Sequence, residues 1–523
     1  MNYGERQAPV IEGYPTLLSI AAGETVGFCC SASIPSISVE ILRIGGSRTA
    51  VWSRDNIRAD HQPAPADAAA YGCGWAVTFE VKTDAAWESG YYEVVLRGHD
   101  PQNGLLTESF SFFVVRPSPV PERRTGRMLL VLATNTYNAY NDWGGKNLYN
   151  GGFQASFERP WAPGLLSKPE PHMRYPNVDD VPDLEHRRFR TWADTYGLSR
   201  WSGSAGWHNW ERPFVEWAER RGYLVDVAVN GDLEHHPEVV EGYPLVLSVG
   251  HDEYWTWGMR DTLEAFVGGG GNVAFFSGNS VFWQARLEDD GRTMVSYKAD
   301  YDRDPVLGTE REHLLTTTWS SARLSRPENE LTGVSFSRGG YIRMGQAVPA
   351  GSGGYTVWRP DHWIYAGTDL RYGDVLGAKD RIAVYEVDGC ELATSPAGLP
   401  VPTGADGTPG TFEVLATAPA RLWNRDELPH RYRPGLEGDL EWMAAEVFGE
   451  ATPDTIARLA HNNAVMGVYS RGGTVFTTGG TDWVYGLAGR DAAVEQITRN
   501  VLDRLIGHSP RHQPSGEAVH LGR

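Results

Sequence analysis

In the stretch Leu245-Val-Leu-Ser-Val-Gly-His-Asp-Glu-Tyr-Trp, a short apolar run leads through Gly250 into three ionisable side chains, His251, Asp252 and Glu253. Such a run has the pattern of a strand covered on both faces of a parallel sheet, and Gly250 is expected to end it. In open parallel sheets ligands lie outside the carboxyl ends of the strands, so the three ionisable groups fall where chemistry is done. In extended backbone His251 and Glu253, two residues apart, can point to the same side. Two further strand ends bring polar groups to that edge: Tyr137 and Tyr140 after Arg127-Met-Leu-Leu-Val-Leu, and Asn279 after Asn272-Val-Ala-Phe-Phe-Ser. The convergence points to acid–base chemistry or metal ligation. A carboxylate with phenolates makes a hard, all-oxygen donor set suited to Fe(III). A phenol keeps its proton to about pH 10, so phenolate ligation requires a strongly acidic ion. A nitrogen-rich zinc site is the alternative, with His235 or His236 joining His251.

The elements that must position these residues follow from periodicity. Residues 8–117 alternate as short strands, including Glu24-Thr-Val-Gly-Phe-Cys-Cys and Gly90-Tyr-Tyr-Glu-Val-Val-Leu-Arg, at the spacing of an immunoglobulin-like β-sandwich. A Pro-rich linker, Arg116-Pro-Ser-Pro-Val-Pro-Glu-Arg-Arg, places a boundary near residue 120. The pattern then becomes α/β, with a polar and aromatic loop at 135–149 and a Pro-rich excursion at 151–208 of the length that usually covers a site. An amphipathic helix is expected over 212–221 and another over 256–267, alternating with strands in the order of a doubly wound sheet. Residues 290–420 read as an antiparallel β insertion near the sheet's carboxyl edge, within an α/β domain spanning 121–510. The closing helix runs from Asp491 to Ile506, and 511–523 read as a disordered tail.

With 523 residues the chain exceeds a single core. Its formal net charge of −19 excludes nucleic acid and an anionic membrane as partners, which both call for a basic surface. No apolar run approaches the roughly 20 residues that span a bilayer, and the N-terminus lacks a signal-peptide layout, so a cytoplasmic location is expected. Four scattered cysteines, Cys29, Cys30, Cys73 and Cys390, make no disulfide framework and read as buried thiols. There is no Gly-x-Ser-x-Gly, His-Glu-x-x-His, Walker loop or Gly-x-Gly-x-x-Gly. The turn at 250–252 carries no thiol, which excludes covalent cysteine catalysis there.

Four stretches, Asn135-Thr-Tyr-Asn-Ala-Tyr-Asn-Asp-Trp-Gly-Gly-Lys, Ser248-Val-Gly-His-Asp-Glu-Tyr-Trp, Phe275-Phe-Ser-Gly-Asn-Ser-Val-Phe-Trp and Gly479-Gly-Thr-Asp-Trp, resemble the large (β) subunit family of N,N-dimethylformamidase. That resemblance covers about residues 10–508. It implies a class I glutamine-amidotransferase-like α/β core whose cysteine site is rebuilt around mononuclear non-haem iron, held by two tyrosines and one carboxylate. Glu253 matches the carboxylate ligand, His251 the neighbouring histidine, Asn279 the nearby asparagine, and Glu386 in Val384-Tyr-Glu-Val-Asp an outer glutamate. Tyr140 is the first tyrosine ligand, with Tyr137 and Tyr149 as rivals, and Tyr175 is the second. The implied activity is hydrolysis of a small amide or related C–N bond, in a homo-oligomer that could include a small partner subunit. Competing expectations are a binding or assembly protein directed at carbohydrate or protein, and iron-dependent lyase or oxidative C–N cleavage.

Overall fold

The computed structural model describes residues 10–101, 104–117, 124–175, 182–342, 352–423 and 439–507. Most of the Pro-rich linker and the tail at 511–523 lie outside them.

Residues 11–116 form two facing sheets. Ile11–Pro15, Thr25–Ala32 and Val77–Lys82 make a three-stranded sheet, and Ser19–Ala21, Leu106–Arg116, Gly90–His99, Ser36–Ile44 and Arg48–Arg58 a five-stranded one. Period-2 alternation decides what each face buries. Tyr92, Val94, Leu96 and Phe113 point into the core between the sheets with Val26, Phe28 and Val81. Their neighbours Tyr91, Val95, Phe112 and Val114 point the other way, into the largest core of the molecule. Tyr91 stacks on Trp207 with ring centroids 4.1 Å apart. The sandwich is therefore packed against the second half through a shared apolar layer.

The second half is built on a nine-stranded sheet ordered Leu224–Val229, Arg127–Leu132, Leu245–His251, Asn272–Gly278, Gly473–Thr477, Asn462–Arg471, Glu413–Ala420, Tyr355–Val357, Val375–Leu376. The first five are mutually parallel and the rest antiparallel. Three strands of the 290–420 stretch thus extend the main sheet itself. The parallel strands are apolar on both sides because both sides are covered. Leu130, Leu132, Leu245, Leu247 and Phe276 face the layer holding the helices Glu211–Arg220 and Ala492–Ile506. Leu129, Val131, Val246, Val273 and Phe275 face the layer holding Trp257–Gly268. Fully burying one such side chain stabilises by about 1.5–3 kcal/mol, so a strand with two apolar faces has no alternative register at the surface.

Local signals set the helix ends. Thr256 accepts a hydrogen bond from the amide of Met259 and starts one helix, and Asp491 accepts from Ala493 and Val494 to start the last. Two expectations are corrected. Part of the 135–149 loop is a short helix, Thr134–Tyr140, in which all seven residues are buried. The central strand does not end at Gly250 but continues to His251, pairing with Ser277 and Gly278. Gly250 has φ +83°, and a Cβ there would meet Trp210 Cβ at 2.3 Å, so glycine lets the strand pass beneath that indole. All four cysteines are buried free thiols.

Candidate active site

The carboxyl ends of three neighbouring parallel strands deliver the site. Leu245–His251 ends on His251, Asn272–Gly278 on the Asn279 turn, and Arg127–Leu132 leads into the helix that carries Tyr137 and Tyr140. A fourth segment, Glu386–Gly389, pairs antiparallel with Ser335–Tyr341. It reaches the strand end at Gly278, where a Cβ would lie 2.7 Å from the Glu386 carbonyl oxygen. Gly278 therefore allows Glu386 to approach.

His251 sits at the centre, fully buried. Its Nδ1 lies 2.7 Å from the Ser204 carbonyl oxygen, to which it donates, leaving Nε2 directed at Glu386 Oε2 at 2.8 Å and Glu253 Oε2 at 3.4 Å. Burial alone would suppress the charged ring, but Glu386, with Glu253 beside it, outweighs that and raises the pKa to about 10. His251 is thus an imidazolium near neutrality. Asn279 completes the group, its Nδ2 lying 3.3 Å from both Glu386 Oε2 and His251 Nε2. The turn that aims it has left-handed backbone at Asn279 (φ +48°) and at Val281 (φ +58°). It is clamped by Asp388, which accepts from the Asn279 and Ser280 amides at 2.8 and 3.1 Å. Strain of this kind persists where the surroundings enforce it.

Glu253 faces a cavity of about 540 Å³ lined by Tyr140, Tyr149, Asn279, Glu386, Lys298 and Tyr341 among others. Its amide is held by Thr136 Oγ1 at 2.8 Å and its Oε1 accepts from the Tyr149 hydroxyl at 2.5 Å. Burial raises its pKa. Glu253 Oε2 and Asn279 Oδ1 are buried without a hydrogen-bond partner, which is costly unless a further group satisfies them. Glu253 Oε2, held by the 3.4 Å ion pair with His251 Nε2, and Asn279 Oδ1 are oxygens beside phenols that a hard cation would satisfy. Burial also holds the Tyr140, Tyr149 and Tyr341 phenols well above their ordinary pKa, so only a strongly acidic cation could ionise them here.

The tyrosines separate clearly. Tyr140 lines the cavity, stacked on Tyr149 at 4.3 Å and 5.7 Å from the His251 ring. Tyr137 points away and donates to Glu211 Oε1 at 2.6 Å, so it is withdrawn as a rival ligand. Tyr149 is beside the site but already spends its proton on Glu253, and the Lys298 ammonium lies 3.7 Å over its ring. Tyr175 packs edge-on against Tyr385, whose own ring stands 6.1 Å from His251, and is not among the residues that line the cavity. The nitrogen-rich alternative is corrected: His235 and His236 line a separate cavity with Ser19, Asp232 and Gly291, and His236 pairs with Glu238 at 3.5 Å. They do not meet His251.

Three groups at the site carried no sequence signal. Lys298 is a buried lysine with left-handed backbone (φ +56°) that donates to the Leu148 carbonyl. Burial, only partly offset by Glu253, lowers its pKa to about 8. Tyr341 and Asp439 line the cavity, and burial raises Asp439 to about 7. A positive φ at a lysine cannot be read from residue types, and neither tyrosine nor aspartate here sits in a recognisable spacing.

Comparison with known proteins adds an independent line. A family described as N,N-dimethylformamidase beta subunit-like, C-terminal, matches residues 38–498. The N,N-dimethylformamidase beta subunits of Paracoccus aminophilus and of an Alcaligenes species are each 23% identical over 482 residues, covering 84% of this chain and 55% of the relative. The chain thus spans about half the length of the curated relatives it matches.

Proposed function

The chain belongs to the N,N-dimethylformamidase beta subunit-like family, and from that premise we propose that it hydrolyses a small amide or related C–N bond at the His251, Glu253, Asn279 and Glu386 pocket. The observation that carries the reading is the buried Glu253 Oε2, ion-paired with a charged His251 at 3.4 Å, and the buried Asn279 Oδ1 without a hydrogen-bond partner, beside cavity-lining phenols. We assign Tyr140, Tyr175 and Glu253 as the residues that would hold mononuclear Fe(III). Tyr149 is less suited, since the Lys298 ammonium over its ring opposes a second cation. When bound, Fe(III) supplies Lewis acidity toward the amide carbonyl and toward water.

The chain's own residues then have defined tasks. The Glu386 and His251 pair, 2.8 Å apart, holds one proton that can move between Oε2 and Nε2. Glu386 accepts the proton of the attacking water, and His251, fixed by Ser204 through Nδ1, delivers one to the leaving amine. Such proton transfer contributes about 10²–10⁴-fold. The Asn279 amide donates to the oxyanion that develops on the carbonyl. Phe282, Phe336 and Trp442 wall the cavity and limit water. The fold reading that goes with this proposal is a glutamine-amidotransferase-like core preceded by an immunoglobulin-like sandwich. Both relatives are named beta subunits, so the proposal extends to an assembly containing a further kind of subunit, which native mass spectrometry of the co-purified complex would detect.

Elemental analysis with a visible absorption spectrum tests the reading. Near-stoichiometric iron with a broad tyrosinate charge-transfer band, and turnover of formamides or other small amides, is the expected result. An iron-replete, active Glu253→Ala variant would overturn the ligand assignment, and absence of metal after reconstitution would overturn the chemistry.

A further inference from the structure

A second group of metal-type donors lies outside the cavity just described. Glu170, His172 and His208 each bring one donor atom to within 4.8 Å of the others. Among the described residues this is the one group of three or more histidine, cysteine, aspartate or glutamate side chains that does so. The set combines a fixed anchor with two adjustable arms. His208 is only 5% exposed, and its Nδ1 is buried without a hydrogen-bond partner. His172 rests edge-on against it with ring centroids 4.9 Å apart, and His172 Nδ1 lies 3.3 Å from Glu170 Oε2. The His172 and Glu170 side chains are 35% and 73% exposed, so they can move.

We propose that Glu170, His172 and His208 bind a zinc ion, with water filling the remaining position on the exposed side. Two imidazoles and a carboxylate are a donor set that zinc favours, at metal–ligand distances near 2.1 Å. Donors around such an ion stand about 3.4 Å apart, so from separations of at most 4.8 Å the exposed arms must close by up to about 1.4 Å. His208 is ready for this: its buried Nδ1 has no hydrogen-bond partner to give up. The positive charge nearby does not forbid an ion. Lys168 is held by the Ser202 carbonyl at 2.8 Å and by Asn209. The ion would tie the part of the excursion around Tyr175 to the Ser204–Trp210 segment at its end, whose Ser204 carbonyl orients His251. Its expected role is to brace, and it does not depend on the amide chemistry proposed above.

Zinc titration by calorimetry of the chelator-treated full chain tests this. Wild type should show a saturable zinc site that Glu253→Ala retains. His172→Ala and Glu170→Gln, at exposed positions where folding is not at stake, should each weaken it at least about tenfold, the lower end of the cost of losing even an outer metal contact. Circular dichroism confirms that the variants are folded. Absence of saturable zinc binding in wild type overturns the proposal, as do His172→Ala and Glu170→Gln titrations that match wild type.

Discussion

Two tyrosine–carboxylate pairs stand at the ends of neighbouring parallel strands, and only one of them belongs to the proposed site. Tyr137 donates to Glu211 at 2.6 Å and Tyr149 to Glu253 at 2.5 Å, three of the four groups buried and Tyr149 half-buried. The difference is what surrounds the carboxylate. Glu211 accepts from the Ala133 amide and from Tyr137, whose ring packs edge-on against Phe112 and Trp161, and burial raises it to about 8, so it is a neutral carboxyl acid near neutral pH. Glu253 looks onto a cavity, with the His251 imidazolium on one side and Lys298 on the other. The same pair of residue types is a packing device in the first place and in the second lies at an open cavity between two cationic groups. What separates them is the supply of positive charge and open space.

The largest effect expected from breaking this contrast is at Glu253. Glu253→Ala should lose the bound iron and lower turnover of a small amide by about 10⁴-fold or more, toward the scale of a lost catalytic group. The matched change Glu211→Gln should leave iron content and kcat unchanged, as elemental analysis and a progress curve would show. Next comes Asn279→Ala, expected to lower kcat by about 10²–10³-fold with KM nearly unchanged, because its donor acts on charge that develops only in the transition state.

A third expectation concerns pH and stability. Glu211 has a folded-state pKa near 8 against an ordinary value of 4.5, so between those values the folded chain binds more protons than the unfolded one. Stability should therefore fall as pH rises from about 4.5 to 8 and level off above that. Denaturant midpoints taken across the range should show this slope for wild type and a shallower one for Glu211→Gln; equal slopes would count against a neutral Glu211. The smallest effect belongs to Tyr137→Phe, which removes one buried hydrogen bond and should cost about 1 kcal/mol in urea unfolding without changing activity. Tyr149→Phe at the same cost in stability should also depress kcat, since Glu253 would lose the donor that orients it.

Much of the scaffold could be read in advance because it rests on local rules. The apolar runs at 127–132, 245–251 and 272–278 are parallel strands, and Thr256 and Asp491 cap helices at the places their types favour. The helix at Thr134–Tyr140 was not legible, since seven buried residues, four of them asparagine or threonine, show no amphipathic period. Its burial on every side removes the alternation on which such readings depend.

The sequence by itself determined that His251 and Glu253 share a side at a strand end, because side-chain direction in extended backbone follows from spacing alone. They are found 3.4 Å apart. Only the tertiary structure decided which tyrosine reaches Glu253, that Lys298 lies over it, and that His235 and His236 belong elsewhere. Tyr149 meets Glu253 across 104 residues and Asn279 meets Glu386 across 107. Contacts at that range are fixed by how the sheet closes and how its faces pack, which spacing along the chain does not record.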